Sequence, residues 1–508
     1  MKRLLCLMLS LLLLAGCGAK EKEPYVATGN GLSSEKPKPP EGSQVTAQSL
    51  SLALFPDRSL SPFQCTDITN RVIFSLVYQG LFAVDSDYQA HPVLCSRYTV
   101  SRDMKTYTFY LEEASFSDGE PVTAADVIAS LKEASESAWF GGRFSNVEAY
   151  KTTDEGAVEI TLTTPYENFQ LLLDVPVVPK KQIDRERPVG SGPYIYEEFD
   201  GQLRLRRRSD WWCVAELPVT AQIITLVSGQ TMSQLRDEFE FSGLGVVCAD
   251  PGSESYVDFH SDYELWACET GVFLYLACNE DSKVLKPKLR KALTYGIHRE
   301  ALVEAYYRGF GKAAYLPASP DSPWYSTVLT KDLRYEPEKL TQAVTDSGAG
   351  EQAVVLLVNK DDGVRLRAAR AIKNSLEQCG MKITMSELAT QDYVKALEKG
   401  EYDLYLGQTK LSANMDLSAF FAPKGALSFG DMDDSVVYAL CKEALANSGN
   451  YYTLYKQVLD EGMLCPILVR SCAIFVQRGM FTNLNAARDN VFYYDLGKDP
   501  AAARGEAQ

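Results

Sequence analysis

Apolar side chains alternate with small or polar ones in several short segments of the chain, a period of two that is typical of β-strands. The segments Leu50–Leu54, Tyr107–Leu111 and Val158–Leu162 follow this pattern. Asp200 and Gly201 form a two-residue turn signal between two further segments of the same kind, which predicts a β-hairpin.

Helix signals lie between these predicted strands. Asp67 can cap a helix that runs from Ile68 to about Tyr78. Thr123 and Asp126 have the spacing of a capping box and predict the start of a second helix. The first half of the chain is therefore expected to be a mixed α+β unit.

The second half alternates more regularly between the two periods. Strands are predicted at Ala353–Val358, Lys382–Leu388 and Tyr402–Leu406, and helices at Val364–Cys379 and Gln391–Lys399. A β-α-β-α-β order is typical of an open α/β sheet, whose ligands bind beyond the carboxyl ends of the strands. The predicted fold class is α/β with a mixed α+β subdomain.

Length and composition narrow the function classes. A chain of 508 residues should contain about three folding units. The net charge of −16 argues against a nucleic-acid partner, which needs basic patches. With only 3 His, and no G-x-S-x-G, H-E-x-x-H or P-loop motif, an enzyme, a metal site and a cofactor are all unexpected. These features favour binding over catalysis.

The N-terminus has the pattern of an export signal. Lys2 and Arg3 precede an apolar run too short for a permanent membrane span, so residues 1–16 are interpreted as a signal peptide. The following Cys17, after Leu-Ala-Gly, resembles the lipidated cysteine of a bacterial lipobox; a plain secretory signal is the alternative. Residues 17–44 are polar and proline-containing, as expected of a flexible tether. The protein is expected at the outer face of the cytoplasmic membrane, held by lipid.

Ten cysteines follow Cys17, at positions 65, 95, 213, 248, 268, 278, 379, 441, 465 and 472. None forms a C-x-x-C motif, which argues against a zinc ribbon or a thioredoxin-like site. Export would permit disulfides. The scattered spacing instead favours buried thiols that act as small apolar side chains.

Six motifs occur in the order and spacing of a known family. They lie at Ser59–Phe63, Leu76–Phe82, Tyr88–Leu94, Tyr107–Val127, Gly190–Tyr194 and Leu289–Glu300. The fourth contains F-S-D-G-x-P-x-T-A-x-D-V and is the closest match. Across about residues 45–480 the chain resembles the family 5 extracellular solute-binding proteins, the oligopeptide, dipeptide and nickel receptors of ABC importers.

The resemblance implies a two-lobed clamp with an extra subdomain and a hinge of two chain crossings. Lobe I would comprise residues 45–60, 190–270 and 466–508, the extra subdomain residues 61–189, and lobe II residues 271–465. The crossings would lie near residues 271–279 and 465–470.

The resemblance also implies a ligand cleft between the lobes. Its candidate binding residues are Leu60, Phe63, Asn279, Gln408, Lys410 and Asp416. Gln408 stands where peptide receptors have Trp, and Lys410 reverses the local charge, which places recognition of a free peptide amine in doubt. Asp416 could bind an ammonium group or only cap a helix, and Asn279 could face the cleft or only close a strand-end turn.

The function implied is that of a lipid-anchored, non-catalytic receptor that captures peptides and delivers them to an ABC permease. It would act as a monomer without nucleic acid. Alternatives are a receptor of the same fold for a nickel chelate, an oligosaccharide or an opine, and a peptide-sensing signalling lipoprotein. An exported hydrolase is disfavoured because no activated nucleophile is evident.

Overall fold

The computed structural model describes residues 50–481 and 484–505. The predicted signal peptide, Cys17 and the tether lie outside the described residues. The strands are β1 (Leu50–Leu54), β2 (Phe82–Val84), β3 (Ala90–Pro92), β4 (Cys95–Val100), β5 (Thr106–Leu111), β6 (Val147–Thr152), β7 (Val158–Leu162), β8 (Tyr194–Phe199), β9 (Gln202–Arg207), β10 (Ile223–Ser228), β11 (Val246–Ala249), β12 (Tyr263–Cys278), β13 (Gly311–Ala313), β14 (Ala353–Asn359), β15 (Lys382–Leu388), β16 (Leu404–Lys410) and β17 (Leu464–Gln477).

The α-helices alternate with these strands, most densely in the second half of the chain. They are α1 (Ile68–Arg71), α2 (Phe74–Val77), α3 (Ala124–Glu136), α4 (Met232–Glu240), α5 (Pro287–Ala292), α6 (Arg299–Tyr307), α7 (Thr327–Thr330), α8 (Pro337–Ser347), α9 (Gly363–Gln378), α10 (Thr390–Glu398), α11 (Ser418–Phe421), α12 (Ser435–Ala446), α13 (Tyr451–Glu461) and α14 (Pro500–Ala503).

One long mixed sheet runs through the molecule. Its strand order is β15-β14-β16-β12-β17-β11-β1-β10-β9-β8, with β13 paired to β17. We call the part of the sheet that contains β1 and β8–β11 the first lobe and the part that contains β13–β16 the second lobe. The two longest strands, β12 and β17, lie between these groups and belong to both lobes.

The chain crosses between the lobes along β12 and β17. Their antiparallel pairing covers Tyr263–Glu269 on one side and resumes at Phe273 on the other, with an irregularity between them. Gly271 lies in this interruption with φ at +69°, a conformation that glycine adopts without steric cost. A second register shift follows between Leu274 and Tyr275. Two strands with an irregular pairing form a narrow connection between the two parts of the sheet, which is suited to a hinge.

The second lobe contains the open α/β sheet that the sequence predicts. β14 pairs in parallel with both β15 and β16. α9 covers this sheet with buried residues spaced three or four apart, among them Val364, Ala368, Ile372 and Leu376. Helices on the faces explain why β14 consists almost entirely of apolar residues.

A separate antiparallel sheet forms the extra subdomain. Its order is β4-β5-β7-β6, and α3 contacts it. Tyr107 and Phe109 of β5 and Ile160 of β7 point into the core and are fully buried. The alternation that predicted these strands therefore reflects one packed and one more open face.

Two element boundaries differ from the sequence prediction. The helix expected from Ile68 to Tyr78 is split into α1 and α2, although Asp67 accepts the backbone N–H of Asn70 as a cap. The strand expected at Tyr402–Leu406 begins at Leu404 and continues to Lys410. It extends because residues 404–410 pair along their whole length with β12.

The capping box and the hairpin are confirmed. The side chain of Asp126 accepts the N–H of Thr123 at the start of α3. β8 and β9 pair in antiparallel orientation, and the turn that connects them consists of Asp200 and Gly201, which both have positive φ. Such a turn matches the twist of the strands it joins.

The ten cysteines between residues 50 and 481 are free thiols, and nine of them are buried. Cys213 is half-buried. Cys248 and Cys472 lie with their sulfurs 3.3 Å apart without a bond. The expectation of buried thiols is thus confirmed for these residues. In the described part of the chain, no helix is long and apolar enough to cross a membrane.

Candidate functional site

A cavity lies where the extra subdomain, the C-terminal segment and the end of β16 approach one another. Its volume is about 120 Å³, and it is partly open to solvent. Its lining is a mixture of aromatic and charged side chains, which is typical of sites that fix a ligand by a few polar groups. The residues that matter below are Arg71, Phe74, Trp139, Phe140, Arg143, Asp174, Arg488 and Asp489.

Trp139 is the central aromatic group. The guanidinium carbon of Arg71 lies 4.0 Å from the centroid of the Trp139 ring. The ammonium nitrogen of Lys410, at the end of β16, lies 3.6 Å from the same centroid. Both distances are within the range of cation–π interactions. Trp139 thus joins the extra subdomain to the second lobe.

Carboxylates neutralise most of the cations around this ring. Lys410 forms an ion pair with Asp489 of the C-terminal segment. Arg143 forms an ion pair with Asp174 within the extra subdomain. Burial lowers the pKa of Lys410 to about 8, although the neighbouring Asp489 opposes this shift.

Arg71 is held differently. Its Nη1 donates to the backbone oxygens of Pro62, at 3.3 Å, and Cys65, at 2.9 Å. Burial lowers the pKa of Arg71 to about 10, so it remains charged at neutral pH. Within the part of the chain that the structure describes, no ion pair includes Arg71. Arg71 is therefore a partly buried cation at the wall of the cavity, held by backbone oxygens and aromatic rings.

A second polar group lies at the strand crossing. Glu269 of β12 accepts hydrogen bonds from the hydroxyl of Tyr88 and from that of Ser319, both at 2.6 Å. Arg488 lies 3.5 Å from the same carboxylate. Burial raises the pKa of Glu269 despite these partners. One carboxylate thereby connects the first lobe, the extra subdomain, the second lobe and the C-terminal segment.

The opposite side of the crossing has its own interlobe contacts. Arg470 of β17 pairs with Asp250, which follows β11, and donates to the side-chain oxygen of Gln408 at 3.1 Å. Arg308 donates to the backbone oxygen of Pro251 at 2.6 Å. The lobes therefore touch on both sides of the strands that connect them.

The structure places the predicted site residues in several different environments. Lys410 lies over the ring of Trp139, which lines the cavity, but does not itself line it. Gln408 lies in the Arg470 cluster rather than on the cavity wall. Leu60 and Phe63 are buried, and Leu60 donates its backbone N–H to Glu186 beside a different groove.

Asn279 has the hydrogen bonding of a strand-end turn residue. Its amide donates to the backbone oxygens of Gly400, at 3.1 Å, and Tyr402, at 3.0 Å. Its carbonyl oxygen accepts the backbone N–H of Asp281 at 3.0 Å. The side-chain nitrogen and oxygen of Asn279 are therefore both engaged in hydrogen bonds within the second lobe.

Asp416 precedes the N-cap residue of α11, Leu417, so the helix cap expected as one alternative for Asp416 is a turn hydrogen bond instead. Its carboxylate accepts the backbone N–H of Ser418, the first residue of α11, at 2.8 Å. Burial raises its pKa. Buried tyrosines surround it, including Tyr166 and Tyr451, and it does not line the cavity at Trp139.

Sequence reasoning missed most of the cavity. Arg71, Asp489 and the neighbouring Trp139 and Arg143 have no common motif and come from three distant parts of the chain. The one local signal was the adjacent Trp139 and Phe140, a large aromatic pair followed by two glycines and Arg143. Among the described residues no group of three or more His, Cys, Asp or Glu could hold a metal ion.

Comparisons with known proteins agree with this architecture. Residues 89–426 match the family model described as bacterial extracellular solute-binding proteins, family 5 Middle. The glutathione-binding protein GsiB of Salmonella typhi is 24% identical over 400 residues, which cover 72% of this chain and 75% of that protein.

Solved structures show the same fold. The ABC transporter substrate-binding protein CtaP of Listeria monocytogenes has a TM-score of 0.70 at 17% identity, covering 87% of this chain and 97% of its own. NikA of Brucella suis, solved with Fe(III)-EDTA, has a TM-score of 0.70 at 17% identity and covers 87% and 98%. AgaA from A. tumefaciens, solved with agropinic acid, has a TM-score of 0.63 at 22% identity and covers 85% and 94%.

Proposed function

Because the chain belongs to the family 5 bacterial extracellular solute-binding proteins, which are transport receptors of ABC importers and not enzymes, we propose that it captures a peptide-like solute for delivery to a permease. The observation that carries this proposal is the cavity at Trp139. Side chains from the extra subdomain and the C-terminal segment line it, and Lys410 of the second lobe lies over the Trp139 ring beside it, so the cavity adjoins the contact between the lobes.

The strand crossing supports a capture mechanism. Only β12 and β17 carry the main sheet from one lobe to the other within the described residues, so small backbone changes near Gly271 would alter the angle between the lobes. A solute that contacts both sides gains affinity only in the closed form and therefore shifts the population toward it. The permease would recognise that closed form.

The domain division given above is part of this proposal. It assigns residues 45–60, 190–270 and 466–508 to lobe I, 61–189 to the extra subdomain and 271–465 to lobe II. The sheet order supports it, because β1 and β8–β11 lie on one side of β12 and β17, and β13–β16 on the other.

Membrane attachment rests on the N-terminal sequence. A lipid on Cys17 with residues 17–44 as a tether would hold a monomeric receptor near its permease. Cys17→Ser should abolish incorporation of radiolabelled fatty acid and release the protein from membranes. Equal partitioning of both forms into detergent would contradict the anchor and leave the receptor function standing.

The receptor function is tested by the solute that the protein retains. We expect mass spectrometry of purified, denatured protein to detect a stoichiometric small peptide, unchanged after hours of incubation with the native protein. Release of a nickel chelate, an oligosaccharide or an opine would replace the peptide as the cargo. Catalytic turnover of a bound peptide would contradict the receptor function.

A further inference from the structure

A second cavity lies between helices at the start of β17, and its lining residues differ from those of the Trp139 cavity. Its volume is about 400 Å³, and it is formed by α5, α8, the end of α13 and the first residues of β17. Its apolar lining includes Leu459 and Leu464. Its charged lining residues are all cations, namely Lys288, Arg290, Lys291 and Lys339. Such a concentration of positive charge is unexpected in a chain whose net charge is −16.

Two of these cations are neutralised by carboxylates that do not line the cavity. The ammonium nitrogen of Lys288 lies 2.7 Å from a carboxylate oxygen of Asp346, and that of Lys339 lies 2.6 Å from Glu336. Lys339 also lies over the ring of Tyr295, 4.5 Å from its centroid. The other two cations have no such partner among the residues that the structure describes. The cavity therefore has a surplus of two positive charges.

Arg290 is the more deeply buried of the two unpaired cations. Its side chain is in the wall of the cavity, the residue is only 6% exposed, and its Nε is buried without a hydrogen-bond partner in the described part of the chain. A buried guanidinium without an anion is unfavourable because nothing replaces its lost hydration. Lys291 is the next residue of α5 and is exposed at the same cavity. An anion bound in the cavity would therefore contact both cations.

We propose that this cavity binds a phosphate group, with Arg290 and Lys291 as its ligands. The oxygens of a phosphate point to several sides, so one phosphate can accept hydrogen bonds from a guanidinium and from an ammonium group at once. The apolar lining would contact the organic part of a phosphate ester. A soluble phosphate ester and the head group of a membrane phospholipid both offer this anion. The site is separate from the Trp139 cavity and does not depend on the receptor function.

Radiolabelled inorganic phosphate is the probe for the chemistry that both sources share. Equilibrium dialysis at constant ionic strength, with chloride as the balancing anion, should show saturable binding to the wild type. Arg290→Met should weaken this binding by roughly tenfold to a hundredfold, the usual effect of losing a hydrogen bond between charged groups. Lys291→Met should weaken it less because Lys291 is exposed. The matched control is Arg370→Gln, which removes an exposed cation paired with Glu387 and should bind phosphate normally.

Urea unfolding without phosphate separates a binding role of Arg290 from a structural one. Arg290→Met should be at least as stable as the wild type, because an apolar side chain replaces a buried cation that has no anion. A less stable variant would show that Arg290 is held by the protein itself and would overturn the proposal. Unchanged phosphate binding by Arg290→Met and Lys291→Met would also overturn it, and so would acetate that displaces the label as well as phosphate does.

Vesicles identify the source of the phosphate. The Cys17→Ser protein, which lacks the proposed lipid, is sedimented with phosphatidylcholine vesicles that contain or lack phosphatidylglycerol. Sedimentation only with phosphatidylglycerol, abolished by Arg290→Met and by excess inorganic phosphate, would identify a lipid head group. Binding of inorganic phosphate without sedimentation would identify a soluble phosphate ester. Absence of binding in both experiments would overturn the phosphate site and leave the receptor function standing.

Discussion

Lys410 forms an ion pair with Asp489, a contact that joins the end of β16 in the second lobe to the C-terminal segment. The Lys410 and Asp489 side chains are 19% and 16% exposed, so water screens this pair poorly. The same ammonium group lies over Trp139. The pair therefore fixes one wall of the cavity as well as a contact between distant parts of the chain.

Asp489→Asn should destabilise the protein more than removal of the whole pair does. The substitution leaves the Lys410 ammonium partly buried without its anion, which costs about 3 kcal/mol in comparable pairs. Adding Lys410→Met should recover most of that loss, because no charge is then left unpaired. Urea unfolding of the single and double variants measures the effect, and an equal loss in both would contradict the coupling.

The pH dependence of stability should report on Lys410. Burial lowers its pKa from the ordinary 10.5 to about 8 in the folded protein, so the unfolded chain binds this proton more tightly. Its contribution to folding stability should therefore rise as the pH increases from about 8 toward 10.5, and should be constant below that range.

The control for this measurement is Lys410→Met, because many buried thiols and phenols also titrate at alkaline pH. Those groups are common to both proteins and cancel in the difference between them. The wild type should gain stability relative to the variant across this window. A difference that does not change with pH would show that Lys410 titrates normally.

The elements whose bounds were predicted correctly are determined by residues close together in the sequence. Val158–Leu162 alternates strictly between buried and partly exposed side chains, and the predicted bounds are those of β7. The Asp200-Gly201 turn and the Asp126 cap are equally local. β16 was predicted too short because Gln408, Thr409 and Lys410 carry no apolar pattern, and their strand conformation depends on pairing with β12, more than a hundred residues earlier.

The cavity could not be predicted for a related reason. Arg71 and Trp139 are separated by 68 positions and Asp489 by several hundred more, so no spacing rule connects them. The sequence indicated that the positive charge of Lys410 is unusual at this position. It could not indicate Asp489 as the ion-pair partner, because that contact depends on where the C-terminal segment lies. Which cations are paired, and with which carboxylates, is a property of the tertiary structure alone.

Glu269→Gln should loosen the contact between the lobes. The Glu269 carboxylate accepts from Tyr88 and Ser319 and faces Arg488, so the amide would lose the ionic attraction and present a donor toward other donors. We expect the ligand-free variant to show a larger radius of gyration in X-ray scattering than the wild type. Glu401→Gln removes an exposed carboxylate paired only with Lys399 and is the control for the change in net charge. Identical scattering from all three proteins would show that the Glu269 carboxylate does not hold the lobes together.

Asp416→Asn should leave both stability and solute binding almost unchanged. Its carboxylate accepts the N–H of Ser418 two residues on, and the side-chain oxygen of Asn can accept the same bond. Burial raises the pKa of Asp416, so the folded protein disfavours its charge and gains nothing from the carboxylate at neutral pH. Asp416→Ala removes this hydrogen bond and should cost about 1 kcal/mol in urea unfolding. Loss of affinity of roughly tenfold or more for the retained solute in Asp416→Asn, with normal unfolding, would instead show that Asp416 binds an ammonium group of the solute.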